Sequence, residues 1–315
     1  MGIEPQPMHI PDGFLSPPVW AALDITAMPA LAIAARKARA EIDDSRIPLL
    51  GTLGAFVFAA QMVNFPVGFG TSAHLVGGAL LVYALGPATA SIVMTAILGI
   101  QALVFQDGGL LALGANVLNM AVAGVLAAWL PLALFQTPRR RMVPVFTGAV
   151  LSVVVSGFLA VSELLLSGVA IATSVLALSL ALFIAAALIE GIITVAVIRA
   201  IERLQPSWVR DIPPRSSPAL GAVAVAAIVL ASAGVIVATA APDGIQQLAQ
   251  KTGIASRETA AISSPLRDYM LPAVGSAALG RAAAGLIGVI LIFAVCILIG
   301  RRVARGRGAA AGGGV

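Results

Sequence analysis

The sequence is poor in almost everything a soluble protein displays on its surface. Only 10% of its 315 residues are charged, against roughly 25% in an ordinary soluble domain, so polar groups cannot cover a water-soluble globule of this size. The same composition excludes disorder, because 59% of the residues are hydrophobic and disordered chains are polar and charged. One cysteine, Cys296, excludes a disulfide framework and any cysteine-rich zinc or iron–sulfur centre. The chain has no GxxxxGK[ST] phosphate loop, so it does not hydrolyse ATP alone. The opening residues, MGIEPQP, lack the basic and apolar regions of a secretory signal peptide. Aromatic residues make up 5% of the chain and histidine occurs twice.

What remains is Ala, Gly, Leu and Val, with a mean hydropathy of +1.01. Small residues of this kind let membrane helices pack closely, so the expected fold class is an all-α polytopic membrane protein. A span takes about 20 apolar residues. Apolar runs lie near 17–35, 48–65, 72–85, 87–106, 112–134, 143–166, 171–198, 218–240 and 279–300. The third is short, with polar neighbours that predict a tilt or a break. Gly86-Pro87 separates it from the fourth, since proline stops a helix and glycine permits the turn.

The net charge of +5 is concentrated in short basic clusters beside the apolar runs, which points to membrane topology and not to nucleic acid. With the N-terminus outside, the cytoplasmic connections hold fifteen of the nineteen Lys and Arg residues, leaving Lys251, Arg257, Arg267 and Arg281 outside. An N-out/C-in orientation is therefore expected. The polar, proline-rich stretch at 201–218 reads as a cytoplasmic linker. It separates seven spans, within 8–200, from a two-helix hairpin at 219–302 with an outside loop at 241–278. Residues 303–315 read as a disordered tail.

The two histidines, His9 and His74, fall on the same side of the membrane in this topology. Each could be hydrogen-bonded independently, since an unpaired polar group beside hydrocarbon is costly. Alternatively they share a transition-metal ion, imidazole being a common ligand for Ni(II), Cu(II), Co(II) and Zn(II). Two imidazoles make a weak site alone. A free α-amine, the next amide nitrogen and that residue's imidazole can chelate an ion in a plane, which suits Ni(II) or Cu(II) and demands a chain beginning Met-His. Asp12, in the Pro11-Asp12-Gly13 turn, can cap backbone N–H groups or the first helix. Gln61, Asn64, Thr71 and Ser72 flank His74 and are candidates to fix its tautomer. Asp107, Asn116 and Asn119 lie around the fourth connection, with the two asparagines on one helix face. Asp24, Glu163 and Glu190 stand within apolar runs and read as snorkelling, protonated or structurally paired carboxyls.

Three motifs, MHIPDG, VNFPVGFGTSAHLVGG and QALVFQDGGLLALGANVLNM, resemble the CbiM/NikM family, the substrate-capture components of cobalt and nickel energy-coupling-factor transporters. The resemblance covers about Met8 to Arg199. It implies capture of Ni²⁺ or Co²⁺ as cargo, with no prosthetic group, in a prokaryotic plasma membrane. It also implies partnership with a cytoplasmic ATPase pair and a coupling transmembrane subunit. The implied ligands are the amine of Met8, the backbone nitrogen and imidazole of His9, and His74. Residues 1–7 depart from the family, because Pro7 acylates the Met8 nitrogen; a functional chain starting at Met8 is expected. The stretch ATAAPDGIQQLAQKTGI with SSPLRDYMLP resembles the PDGLE-type, NikN/CbiN-like module over about Leu220 to Arg302. Here Ile245 and Gln246 replace the expected Leu and Glu, while Asp243 keeps the position of an N-cap. A self-sufficient secondary permease is disfavoured by the lack of an inverted repeat. An intramembrane enzyme is disfavoured because neither histidine sits in a Ser/His or HExxH pattern.

Overall fold

The structure, a computed structural model, describes residues 9–42, 44–135, 141–205, 217–234, 238–239 and 241–311. The N-terminal extension 1–7, Met8 and most of the expected linker lie outside the described residues. Among the described residues, six helices are long and apolar enough to cross a membrane. They are α1 (Pro17–Glu41), α4 (Pro87–Phe105), α5 (Leu113–Leu134), α6 (Met142–Leu166), α7 (Thr173–Leu204) and α10, which crosses within Ala277–Ala304 and continues to Ala311. Two shorter apolar helices, α2 (Ile47–Gln61) and α8 (Pro218–Gly234), complete the bundle. Residues expected to be a structureless tail are instead helical through Ala311. Alanine is the best helix former and extending an existing helix needs no new nucleus.

The third apolar run does not form a membrane-length helix. Its first half makes strand β2 (Thr71–Ala73), antiparallel to β1 (Phe65–Gly68), and only Gly78–Leu85, α3, is helical. Eight helical residues extend about 12 Å, whereas the hydrocarbon core is about 30 Å thick. Residues 74–77 between strand and helix have no regular structure, and Gly77 at φ 77° is the N-cap of α3. Its lower end meets Glu41, whose carboxylate lies 3.4 Å from the Thr89 hydroxyl. Tyr83 and Arg141 both bond Glu202 near that end, at 2.9 and 3.0 Å.

Helix α2 is apolar on every face and is buried at every position but Pro48, as expected for a helix packed on all sides. Both C-terminal helices lie against it, α10 most extensively and α8 beside it. The C-terminal pair therefore clasps α2, and its own two helices meet where a Cβ at Gly285 would fall 2.6 Å from Ala231 O. In α10, a Cβ at Gly288 would collide with the Phe58 ring and come within 2.8 Å of Phe105 Cζ. That close approach seats Tyr269 in an aromatic cluster, its ring stacked on Phe105 at 4.7 Å and 17°.

The expected outcome for Gly288→Leu is a loss of about 1–3 kcal/mol from overpacking, read as a lowered unfolding temperature in detergent. Gly221→Ala, in a helix with open space around the new methyl, should leave stability unchanged or raise it by up to about 1 kcal/mol.

Candidate metal site

The chain ahead of α1 is not helical, and its backbone groups need partners inside an apolar bundle. Ile10 exchanges two bonds with the Asn116 side chain: its N–H donates to Oδ1 at 3.1 Å and its carbonyl accepts from Nδ2 at 3.0 Å. The same carbonyl accepts from the Gly109 N–H at 2.9 Å. Asp12 Oδ1 accepts from the N–H groups of Leu111 and Ala112 at 2.8 and 3.2 Å, and Oδ2 from Ala261 at 3.2 Å. The Asp12 carboxylate thus caps backbone N–H groups and not the first helix, whose N-cap Ser16 makes no side-chain cap bond. These contacts tie residues 9–12 to the 105–116 connection.

This brings His9 to His74, with ring centroids 5.7 Å apart and planes at 56°. His9 is 4% exposed. Its Nδ1 lies 3.1 Å from Asp107 Oδ1, which places the ring proton there. Its Nε2 is buried without a hydrogen-bond partner among the described residues. A bare imidazole lone pair in a cavity, with the other nitrogen bonded to a carboxylate, is the usual arrangement of a metal-binding histidine. His74 Nδ1 lies 3.2 Å from Leu75 O. The N–H groups of Val76 and Gly77, just beyond it, both donate to the Glu190 carboxylate, at 2.8 and 2.9 Å. A cavity of about 110 Å³ opens between the rings, lined also by Thr71, Asn119, Asp243 and Ile245. Among the described residues no group of three or more His, Cys, Asp or Glu side chains is arranged to hold an ion. Further donors for an ion here must come from elsewhere.

The remaining candidates support the backbone more than the rings. Gln61 donates to Val76 O at 2.9 Å and accepts from Gln101 at 3.0 Å, while the Ser72 hydroxyl donates to Ala241 O at 2.7 Å. Asn64 Oδ1 and Thr71 Oγ1 are buried without partners among the described residues. Asn116 and Asn119 diverge: Asn119, on a π-helical stretch, donates to Glu163 at 2.9 Å. Asp24 accepts from the Gly114 N–H at 2.7 Å. Gln101 and Tyr269 escaped sequence reasoning, and Glu190, noted in the sequence as a carboxyl in an apolar run, carried no sign of its partners. Their signal is weak because each partner is more than a hundred residues away or, for Gln101, another uncharged polar side chain.

A family model described as the cobalt uptake substrate-specific transmembrane region, CbiM, matches residues 9–208. The chain belongs to the CbiM family. A second model, the PDGLE domain, matches residues 217–305. The chain is 30% identical to the fused nickel transport protein NikMN of Rhodobacter capsulatus, across 91% of this chain and 95% of that protein. A 122-residue stretch is 50% identical to a relative from Haloquadratum walsbyi, covering 39% of this chain and 56% of that one. A crystal structure of a truncated transition metal transporter matches with a TM-score of 0.54 and 32% identity, over 62% of this chain and 99% of its own. The chain is thus a multi-pass membrane protein of a transport family, not an enzyme.

The PDGLE region roofs the site. Helix α9 (Gly244–Thr252) starts with a capping box in which Asp243 Oδ1 accepts from the Gln246 N–H at 2.8 Å and Gln246 Oε1 accepts from the Asp243 N–H at 3.2 Å. Gln can close this box as Glu would. Burial pushes the Asp243 carboxyl up to about 7, against the opposing pull of the Gln246 N–H and of nearby His9. The Ser72 N–H donates to Pro242 O at 2.8 Å, and Gln247 donates to Phe69 O at 3.1 Å. The hairpin before His74 is therefore docked on the C-terminal region.

Replacing Glu190 by Ala should leave the Val76 and Gly77 N–H groups unpaired. The expected loss of stability is about 1–3 kcal/mol, measured by thermal unfolding, together with weakened metal binding as the His74 segment loosens.

Proposed function

We propose that this chain captures Ni²⁺ or Co²⁺ from the outer side of the membrane, between His9 and His74, and delivers it to an ATP-driven energy-coupling-factor import complex. One observation carries the reading: the only two histidines in the sequence, 65 positions apart, meet at 5.7 Å in a cavity with the His9 Nε2 lone pair unpartnered. The basic residues concentrated toward the opposite end support an outward-facing site. Nickel is placed ahead of cobalt, supported by the near-full-length similarity to a fused nickel transport protein. ATP hydrolysis and the coupling step belong to partner subunits, a cytoplasmic ATPase pair and a transmembrane coupling subunit. We assign 8–200 to capture and the hairpin at 219–302 to the accessory module.

The ligand set is the Met8 amine, the His9 amide nitrogen and imidazole, and His74. Planar nitrogen donors stabilise low-spin Ni(II). Only Nδ1 of His9 closes a chelate ring with that residue's own amide nitrogen, and Nδ1 faces Asp107. A half-turn about Cβ–Cγ carries Nδ1 to the opposite side of the ring and Nε2 to the Asp107 side. The carboxylate can then take the N–H of whichever nitrogen is left, while the other faces the ion.

Calorimetric titration of purified protein with Ni²⁺ should show that His74→Ala and His9→Ala each abolish tight binding while leaving the fold intact; retained affinity in either would refute the shared site. A chain beginning at Met8 should bind far more tightly than one retaining residues 1–7, because a nitrogen acylated by Pro7 is a poor donor. Equal affinities would remove the amine from the ligand set. The nickel complex is expected to be yellow and diamagnetic. Uptake in vesicles should require the partner subunits and ATP; uptake by the chain alone would indicate a secondary permease.

A further inference from the structure

The carboxylate that bonds His9 is itself held from the C-terminal region. Asp107 Oδ2 accepts a 2.5 Å hydrogen bond from the Tyr269 hydroxyl, in the 3₁₀ turn Arg267–Tyr269 of the outer segment. Tyr269 is buried, and burial together with the adjacent Asp107 holds the phenol well above its ordinary range. It therefore remains a donor. Gln101 Nε2 donates to the same hydroxyl at 3.2 Å and to Gln61 Oε1 at 3.0 Å, and Gln61 donates to Val76 O. A continuous hydrogen-bond path thus runs from His9 through Asp107, Tyr269, Gln101 and Gln61 to the backbone two residues beyond His74. The phenol ring, stacked on Phe105, has no freedom to leave this position without opening the aromatic cluster.

We propose that Tyr269 is a positioning residue for metal capture: by fixing Asp107 against His9, it lets the C-terminal region set the affinity of a site whose ligands all lie in the N-terminal region. This rests on the capture site assigned above. Asp107 has two oxygens, and Tyr269 occupies one, so the other is directed at the imidazole. The N–H of His9 is thereby kept on the Asp107 side and the lone pair on the side of His74. The assignment holds for either orientation of the His9 ring, because Asp107 accepts from the nitrogen on its side in both. It also gives the PDGLE region a chemical part in the site beyond covering it.

The test is Ni²⁺ titration of the full chain in detergent, in whichever form, started at Met1 or Met8, binds more tightly, with the visible spectrum of bound nickel recorded in parallel. Tyr269→Phe keeps the ring stack and removes only the hydroxyl. It should weaken binding by roughly tenfold to a hundredfold, the usual effect of losing an outer hydrogen-bond partner, and shift the ligand-field band. In an Asp107→Ala background the same substitution should add less than about twofold, because the acceptor through which Tyr269 acts is gone. Wild-type affinity and spectrum in Tyr269→Phe, with binding lost in His74→Ala, would overturn this inference and leave the capture site standing. Additive losses in the double variant would also overturn it, by showing that Tyr269 does not act through Asp107. Full binding in His74→Ala, or no nickel binding in either form of the chain, would remove the capture site and this inference together.

Discussion

Non-helical backbone buried in an apolar bundle is the constraint on which the rest of the structure depends. The two histidines sit on such backbone, at residues 9–16 and 71–77, and every N–H there needs an acceptor because hydrocarbon offers none. Three buried side chains serve this backbone and the segments packed on it. Asn116 pairs with Ile10 as a neighbouring strand would, Asp12 gathers N–H groups from two separate segments, and Glu190 takes two consecutive N–H groups beyond His74. A carboxylate with two oxygens suits this task, since it accepts several N–H bonds at once and is strengthened by its charge. The polar residues in the apolar runs are the means by which irregular chain is tolerated at this depth.

The same requirement explains why the C-terminal region is part of the site and not an appendage. Its outer segment lends Ser72 and Phe69 their partners, offers the Ala261 N–H to Asp12, and brings Tyr269 to Asp107. Its helices grip α2 from two sides, with Gly288 allowing α10 to reach the Phe58 and Phe105 rings. Packing and polar satisfaction thus converge on one end of the bundle, where the cavity lies.

Much was legible without coordinates. Nine apolar runs each correspond to a helical segment, because apolar length alone dictates a helix where backbone groups have no water. Alternation of the runs put His9 and His74 on one side and left two readings open, independent histidines or a shared ion, between which the family resemblance chose. The third run was read as tilted or broken, and the break is real: Gly77 turns left-handed ahead of the helix, and the Glu190 carboxylate takes the N–H groups of Val76 and Gly77. Residues 303–311 of the expected tail are helical, since an alanine-rich extension of a long helix costs little to continue.

The sequence by itself determined that the chain lives in a membrane, roughly where it crosses, and that its only imidazoles belong to one end, because composition and spacing are local properties that the bilayer amplifies. Only the tertiary structure decided which polar group serves which. Ser72, a neighbour of His74 in sequence, bonds the C-terminal region, and Gln61 bonds Gln101 and the Val76 carbonyl. Glu190, 116 positions beyond His74, and Tyr269, 162 beyond Asp107, hold the site. A hydrogen bond depends on where two atoms arrive after the helices have packed, and nothing in the order of residues encodes that meeting.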